Sequence, residues 1–229
     1  DIIFKTPGMR FDIPELVSAR NSGVIVTSEM EAFFELCPAC IIGVTGSDGK
    51  TTTTTLIYKM LMQQGYTVWV GGNIGRPLFG EIDNIKKEHF VVLELSSFQL
   101  HTMKKSPNIS VITNISPNHL DMHKDYDEYI SAKENIMRYQ NKSDKLIVNY
   151  DNDVTRRIGE NAVGKCEYFS YANKKDIYID NDYICINGEK ILNINDIKIP
   201  GRYNTENYMA AIVAVYDYVS ANAIVSIAK

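Results

Sequence analysis

Val44-Thr45-Gly46-Ser47-Asp48-Gly49-Lys50-Thr51-Thr52 is the stretch on which the fold turns. It follows an apolar run, residues 41–45, that reads as a buried strand. It opens a helical stretch, Lys50–Gln64, that Gly65 ends. A strand that feeds a helix through such a loop aims several backbone N–H groups and the positive helix end at one anion. Gly46 and Gly49 permit unusual dihedrals and the close approach of phosphates. Lys50 supplies a positive charge for β- and γ-phosphates, and the Thr51 hydroxyl is placed to ligate magnesium. Ser47, Asp48 and Thr52 complete the nucleotide-facing positions. The standard P-loop spacing asks for glycine where Val44 stands, and Gly43 is one residue early. The loop is therefore a variant, T-G-x-x-G-K-T-T. A glycine-rich turn that merely caps a helix is the competing reading, and Gly-Lys-Thr between a strand and a helix weighs against it.

Outward from the loop, strands alternate with helices. Residues 67–70, 90–95, 111–114 and 145–149 read as further strands. A short helix follows Ser97, and a longer one covers residues 126–139. This alternation predicts an α/β fold: a P-loop-type, mostly parallel sheet with helices on both faces. Residues 176–199 differ, with short apolar strands separated by Asn-Asp and Asn-Gly, and predict a small antiparallel element. A helix returns over residues 204–218. Residues 1–27 read as strand, Pro-Gly turn, helix (Pro14–Asn21) and strand, a partial N-terminal α/β unit.

In an open α/β sheet the ligand crevice lies at the carboxyl ends of the strands. Glu94 ends the apolar run Phe90-Val91-Val92-Leu93, so it should face the same crevice as Lys50 and bind magnesium. Ser96 and Ser97 add hydroxyls at that edge. His119 follows the strand at 111–114 on the same side, although a lone histidine is more often structural. Lys133, on the following helix, reads by itself as a solvated surface lysine. Gly71-Gly72-Asn73-Ile74-Gly75 suits either a close approach to a ligand or a plain turn.

Composition excludes other classes. The 229 residues are 45% apolar, enough for a substantial core, and the net charge of -4 argues against a nucleic-acid scaffold. No apolar run reaches the roughly 20 residues that cross a bilayer, and the first residues do not form a signal peptide. Cys37 and Cys40 form C-P-A-C without a second ligand pair, so Cys37, Cys40, Cys166 and Cys185 read as reduced thiols of a cytoplasmic protein.

Together these segments resemble the Mur ligase family. The loop is shared with folylpolyglutamate synthases. Thr6-Pro7-Gly8-Met9, residues 71–75, Glu94-Leu95-Ser96-Ser97-Phe98-Gln99-Leu100 and Asn118-His119-Leu120-Asp121-Met122-His123 point more narrowly, to the member that adds D-glutamate to UDP-N-acetylmuramoyl-L-alanine. The resemblance implies an ATP-dependent carbon–nitrogen ligase of peptidoglycan precursor synthesis that works through an acyl phosphate. It implies ATP and two magnesium ions. Lys50 and Thr51 would hold ATP and its magnesium, Glu94 one magnesium, and His119 a second near the acyl group. Lys133 would match a carbamylated lysine that coordinates magnesium. Asn204 and Asn207 would lie near adenine, Asn73 and Ser96 at the muramoyl substrate, and Gly8 near the uridine. Thr6, Asn118, Met122 and Tyr203 depart from the usual Ser, Asp, Arg and His. The resemblance further implies a remnant of a UDP-binding domain at 1–36, the central ATP-binding domain at 37–229, a third, amino-acid-binding domain absent, and a monomer. A related ligase for another acid, or an ATP-binding remnant without ligase activity, are the alternatives.

Overall fold

The computed structural model describes residues 1–117 and 123–228. The N-terminal unit comprises β1 (Ile2–Phe4), α1 (Pro14–Asn21) and β2 (Ile25–Thr27), with β1 and β2 paired in parallel. Then come α2 (Glu29–Leu36), β3 (Cys40–Thr45), α3 (Lys50–Gln64), β4 (Val68–Gly72), a 3-10 turn (Phe79–Asn84), β5 (Phe90–Glu94), α4 (Ser97–Leu100), β6 (Ile109–Ile112) and α5 (Tyr126–Arg138). The chain continues through β7 (Lys145–Asn149), α6 (Asp153–Gly159), β8 (Lys165–Ser170), β9 (Ile177–Asp180), β10 (Tyr183–Ile186), β11 (Glu189–Asn193), α7 (Arg202–Val215) and α8 (Ala221–Ala228).

Nine of these strands form one sheet in the order β11-β10-β9-β8-β7-β6-β3-β5-β4. Every pair from β4 to β9 is parallel, and only β9-β10-β11 is antiparallel. The predicted antiparallel element is therefore the far edge of the main sheet. Its turns are the expected kind, since Asn181 and Asp182, then Asn187 and Gly188, all have positive φ.

Alternation along the strands divides the core. Ile42, Val44, Val92, Val111 and Ile147 face α3, α7 and α8, while Ile41, Val91, Leu93, Ile112 and Val148 face α2, α5 and α6. Both faces being covered explains why these strands read as unbroken apolar runs. α3 spans the expected residues and ends at Gly65, whose φ of 102° suits glycine. β6 runs over Ile109–Ile112, two residues earlier than its apolar pattern suggests. Beyond it Thr113 still donates its N–H to the Thr45 carbonyl of β3, while the side chains of Thr113 and Asn114 turn to the phosphate loop. Their hydroxyl and amide both donate to the Asp48 carbonyl, at 2.6 and 3.0 Å.

Candidate nucleotide site

Strand order reverses around β3: the chain continues to β4 and β5 on one side and to β6 on the other. The loop after β3 sits at that switch point, where an open sheet leaves a crevice. Gly49 is the N-cap of α3, with φ of 80° and no side-chain acceptor over the helix start. The first helical bond runs from Thr53 N–H to the Gly49 carbonyl. The amides of Lys50, Thr51 and Thr52 thus belong to the group a helix leaves without internal acceptors, a ready anion site. A Cβ on Gly49 would strike the Asn207 amide, and one on Gly46 the Thr113 hydroxyl. The glycines therefore let the loop pack against α7 and the end of β6.

Lys50 Nζ donates to the carbonyls of Gly46 (3.0 Å) and Ser47 (2.9 Å). Burial lowers its pKa, with Glu94 and Asp48 opposing. Ser47 turns inward: its hydroxyl donates to the Ser116 carbonyl (3.0 Å) and meets the Tyr129 hydroxyl at 3.0 Å. Asp48 N–H donates to the Asn114 side chain at 3.1 Å. Thr52 is half-buried in the first turn of α3.

Glu94, only 2% exposed, lies where the strand pattern predicted. One carboxylate oxygen accepts from the Thr51 hydroxyl (2.7 Å) and the other from the Asn73 amide (2.9 Å). Asn73 N–H also donates to the Glu94 carbonyl, which binds the Gly71–Gly75 loop to the end of β5. Ser96 caps α4 in a capping box with Gln99.

Lys133 is not a surface residue. It is 2% exposed, and its amine donates to the Gly46 carbonyl at 2.9 Å. Burial, then the charge of Lys50, lowers its pKa to about 7, against the pull of Asp48 and Glu94. About half of these amines are therefore neutral near pH 7, and the nitrogen lies 4.7 Å from the centre of the Tyr129 ring.

Asn207 reaches the loop, lining a small hollow with Asp48, Gly49, Asn114, Phe169 and Tyr203. Asn204 does not line it, and its amide donates to the Pro200 carbonyl. Gly8 lies in a separate crevice beside Phe98 and His123. His119 lies outside the described residues. Sequence reasoning missed Thr113, Asn114 and Tyr129, which anchor the loop from behind. Tyr129 could have been found from its spacing, four residues before Lys133 on one helix face.

Hard oxygen ligands suit magnesium, which commonly takes one or two carboxylates and completes its shell with phosphates and water. Thr51 and Glu94 fit that pattern, and the open helix start fits a polyphosphate. Among the described residues no cluster of three or more His, Cys, Asp or Glu could hold a metal by itself.

Residues 44–215 match the Mur ligase middle domain. The chain belongs to the Mur ligase family. It is 56% identical to a UDP-N-acetylmuramoylalanine--D-glutamate ligase of Acetivibrio thermocellus and 53% identical to one of Clostridium kluyveri, in each case over all of this chain and 50% of the relative. The chain thus spans about half the length of the curated relatives it matches. Its fold is that of the UDP-N-acetylmuramate:L-alanyl-gamma-D-glutamyl-meso-diaminopimelate ligase of Neisseria meningitides, with a TM-score of 0.72 at 17% identity over all of this chain and 78% of that one.

Proposed function

We propose that this chain carries the ATP-binding part of the ligase that joins D-glutamate to UDP-N-acetylmuramoyl-L-alanine. The observation that carries the reading is the convergence of Lys50, Thr51, Glu94 and Lys133 on one phosphate loop. The names of the relatives, more than half identical to this chain, support the choice of substrates.

In this reading ATP would supply the γ-phosphoryl group that turns the muramoyl-alanine carboxylate into an acyl phosphate, with ADP leaving, and the amine of D-glutamate would displace phosphate from it to form the amide; magnesium would neutralise the phosphate charge. Lys50 then turns from the loop carbonyls toward the β- and γ-phosphates. Thr51 and Glu94 hold one magnesium, and Asn73 fixes the Glu94 carboxylate as well as meeting the muramoyl group. The neutral fraction of Lys133 can take up CO2 and lose a proton to give an anionic carbamate, which with His119 would hold a second magnesium. Asn207 and Asn204 serve the adenine side, Ser96 the acyl side and Gly8 the uridine side. Residues 1–36 belong to a UDP-binding unit and 37–229 to the ATP-binding domain. No helix among the described residues is long and apolar enough to cross a membrane, and a UDP-linked precursor as substrate places the reaction in the cytoplasm.

The test is ATP-dependent phosphate release with UDP-N-acetylmuramoyl-L-alanine, with and without D-glutamate, on the complete gene product. Release that requires D-glutamate is expected. Release driven equally by another amino acid would move the assignment to a sister ligase. ATP binding without turnover would leave a binding protein.

A further inference from the structure

A second polar cluster lies beside the nucleotide site. Ser97 follows the α4 N-cap and is 3% exposed. Its hydroxyl meets His123 Nε2 at 2.9 Å. The His123 ring is stacked on Phe98, with centroids 5.2 Å apart and planes 3° from parallel. On its other edge, His123 Nδ1 lies 3.5 Å from Glu128 Oε2 and has no closer hydrogen-bond partner among the described residues. The second Glu128 oxygen lies 3.6 Å from His101 Nε2, just past the end of α4. Glu128 is itself fixed by accepting the Lys124 N–H at 2.6 Å.

The tautomer follows from the partners. An ionised carboxylate only accepts, so Nδ1 carries the proton toward Glu128, and Nε2 accepts from the Ser97 hydroxyl. Burial, with His101 adding to it, lowers the pKa of His123, which favours this neutral form. Serine, histidine and glutamate in this order resemble a hydrolase triad. The Ser97 side chain is buried against the imidazole, however, and so is not open to a substrate carbonyl.

The cluster instead connects two elements that each bring a functional group to the site. α4 follows Glu94 and is capped by Ser96. α5 holds Glu128 in its first turn and carries Tyr129 and Lys133 to the loop. We infer that Ser97, His123 and Glu128 are positioning residues that hold the Glu94–Ser96 edge in register with the Lys133 helix. The inference rests on the proposed ligase reading for its kinetic consequence but not for its structural one. A catalytic group displaced by about 1 Å can lose up to 100-fold in rate, whereas nucleotide binding to the loop amides does not depend on that register.

The experiment compares Ser97→Ala, His123→Phe, His123→Gln and the double variant Ser97→Ala/His123→Phe in the full-length protein. His123→Phe keeps the stack on Phe98 and loses both nitrogens, whereas His123→Gln can restore a polar group near Nε2. Expected are a roughly 10-fold fall in kcat for Ser97→Ala and for His123→Phe, with KM for ATP within about twofold. The double variant should be no slower than the worse single one, as for a coupled pair, and His123→Gln should recover part of the loss. Hydrogen exchange at residues 96–101 should quicken in Ser97→Ala. Unchanged kcat in folded variants, or losses that add and follow the melting temperature, would overturn the inference. If the wild type turns over none of the named substrates, the proposed reaction fails by itself. Exchange at residues 96–101 then still decides the positioning role, and no change there would reject it.

Discussion

Lys133 holds the largest conflict between burial and charge at the site. Its pKa near 7, against 10.5 for the free side chain, means that the folded protein binds fewer protons here than the unfolded chain between those values. The native state is therefore penalised at and below pH 7, and the penalty fades as pH rises toward 10.5. Lys133→Met, similar in shape and uncharged, should raise the stability of the chain at pH 6.5 and lose roughly half of that advantage by pH 9. Urea unfolding at the two pH values measures it. An equal effect at both would mean that the amine is paired or solvated. The same substitution should abolish ligation, because it removes the group proposed to bind magnesium. Gly49 sets a second test. Alanine there must adopt φ near 80°, which costs about 1–2 kcal/mol, and must displace Asn207. Gly49→Ala should be destabilised by at least that much and lose ATP binding, as read by thermal melting with and without Mg-ATP.

At the scale of elements, the sequence revealed what depends on local pattern. Lys50–Gln64 and its glycine stop, the strand that ends in Glu94, and the Asn-Asp and Asn-Gly hairpins are fixed by nearby residues. Four elements were not legible. α2, α6 and α8 are eight residues or fewer and lack the starting proline that marks the equally short α1, although Phe33 and Phe34 of α2 lie in the core. β8 carries charges because Glu167 pairs with Lys145 on the neighbouring strand, at 3.0 Å, and so breaks the apolar run. The burial of Lys133 was equally hidden, since a lysine on a helix carries no mark of what packs over it. Lys145 also bonds Asp217, just beyond α7, at 2.6 Å. Burial lowers its pKa, but the hydrogen bond it donates to Asp217 and the pairing with Glu167 outweigh this and raise it, while accepting that bond lowers the pKa of Asp217. The lysine's part of this tie is complete below its unfolded pKa and is lost as pH rises through the folded one. The aspartate's part is complete above its unfolded pKa and is lost as pH falls through the folded one. Asp217→Asn should therefore cost about 0.5–1 kcal/mol at neutral pH, a modest figure because Asp217 is more than half exposed. The cost should fall away as pH drops through the lowered folded-state pKa of Asp217, where its carboxyl becomes uncharged like the amide.

At the scale of the whole molecule, stability is unevenly distributed. β3, β5 and β6 lie between two apolar layers, and Ile42, Val92, Leu93 and Val111 are wholly buried. β1 and β2 form a separate two-stranded pair. The Ile2–Ile25 register and the alternation along β1 put Ile2, Phe4 and Ile25 on one face, each more than half exposed. A pair of strands is marginal when nothing covers its apolar face. Phe11 packs edge-on against His101, whereas the bond from Lys104 N–H to Glu31 and the ion pair from Lys105 to Glu35 belong to α2, which Phe33 and Phe34 anchor in the core. Between the pair and the sheet lies a cavity of about 390 Å3, lined by Lys5, Thr6, Phe33, Gly72, Leu78 and Phe98. Local opening follows buried contacts, so the N-terminal unit should open without the sheet. In this chain the amides of Ile2–Phe4 and Ile25–Thr27 should exchange roughly two orders of magnitude faster than those of β3, β5 and β6. Hydrogen exchange read by mass spectrometry resolves the two regions. Equal protection would mean that the exposed face of β1 and β2 is covered in solution, and sedimentation at two concentrations would then show whether a second copy covers it.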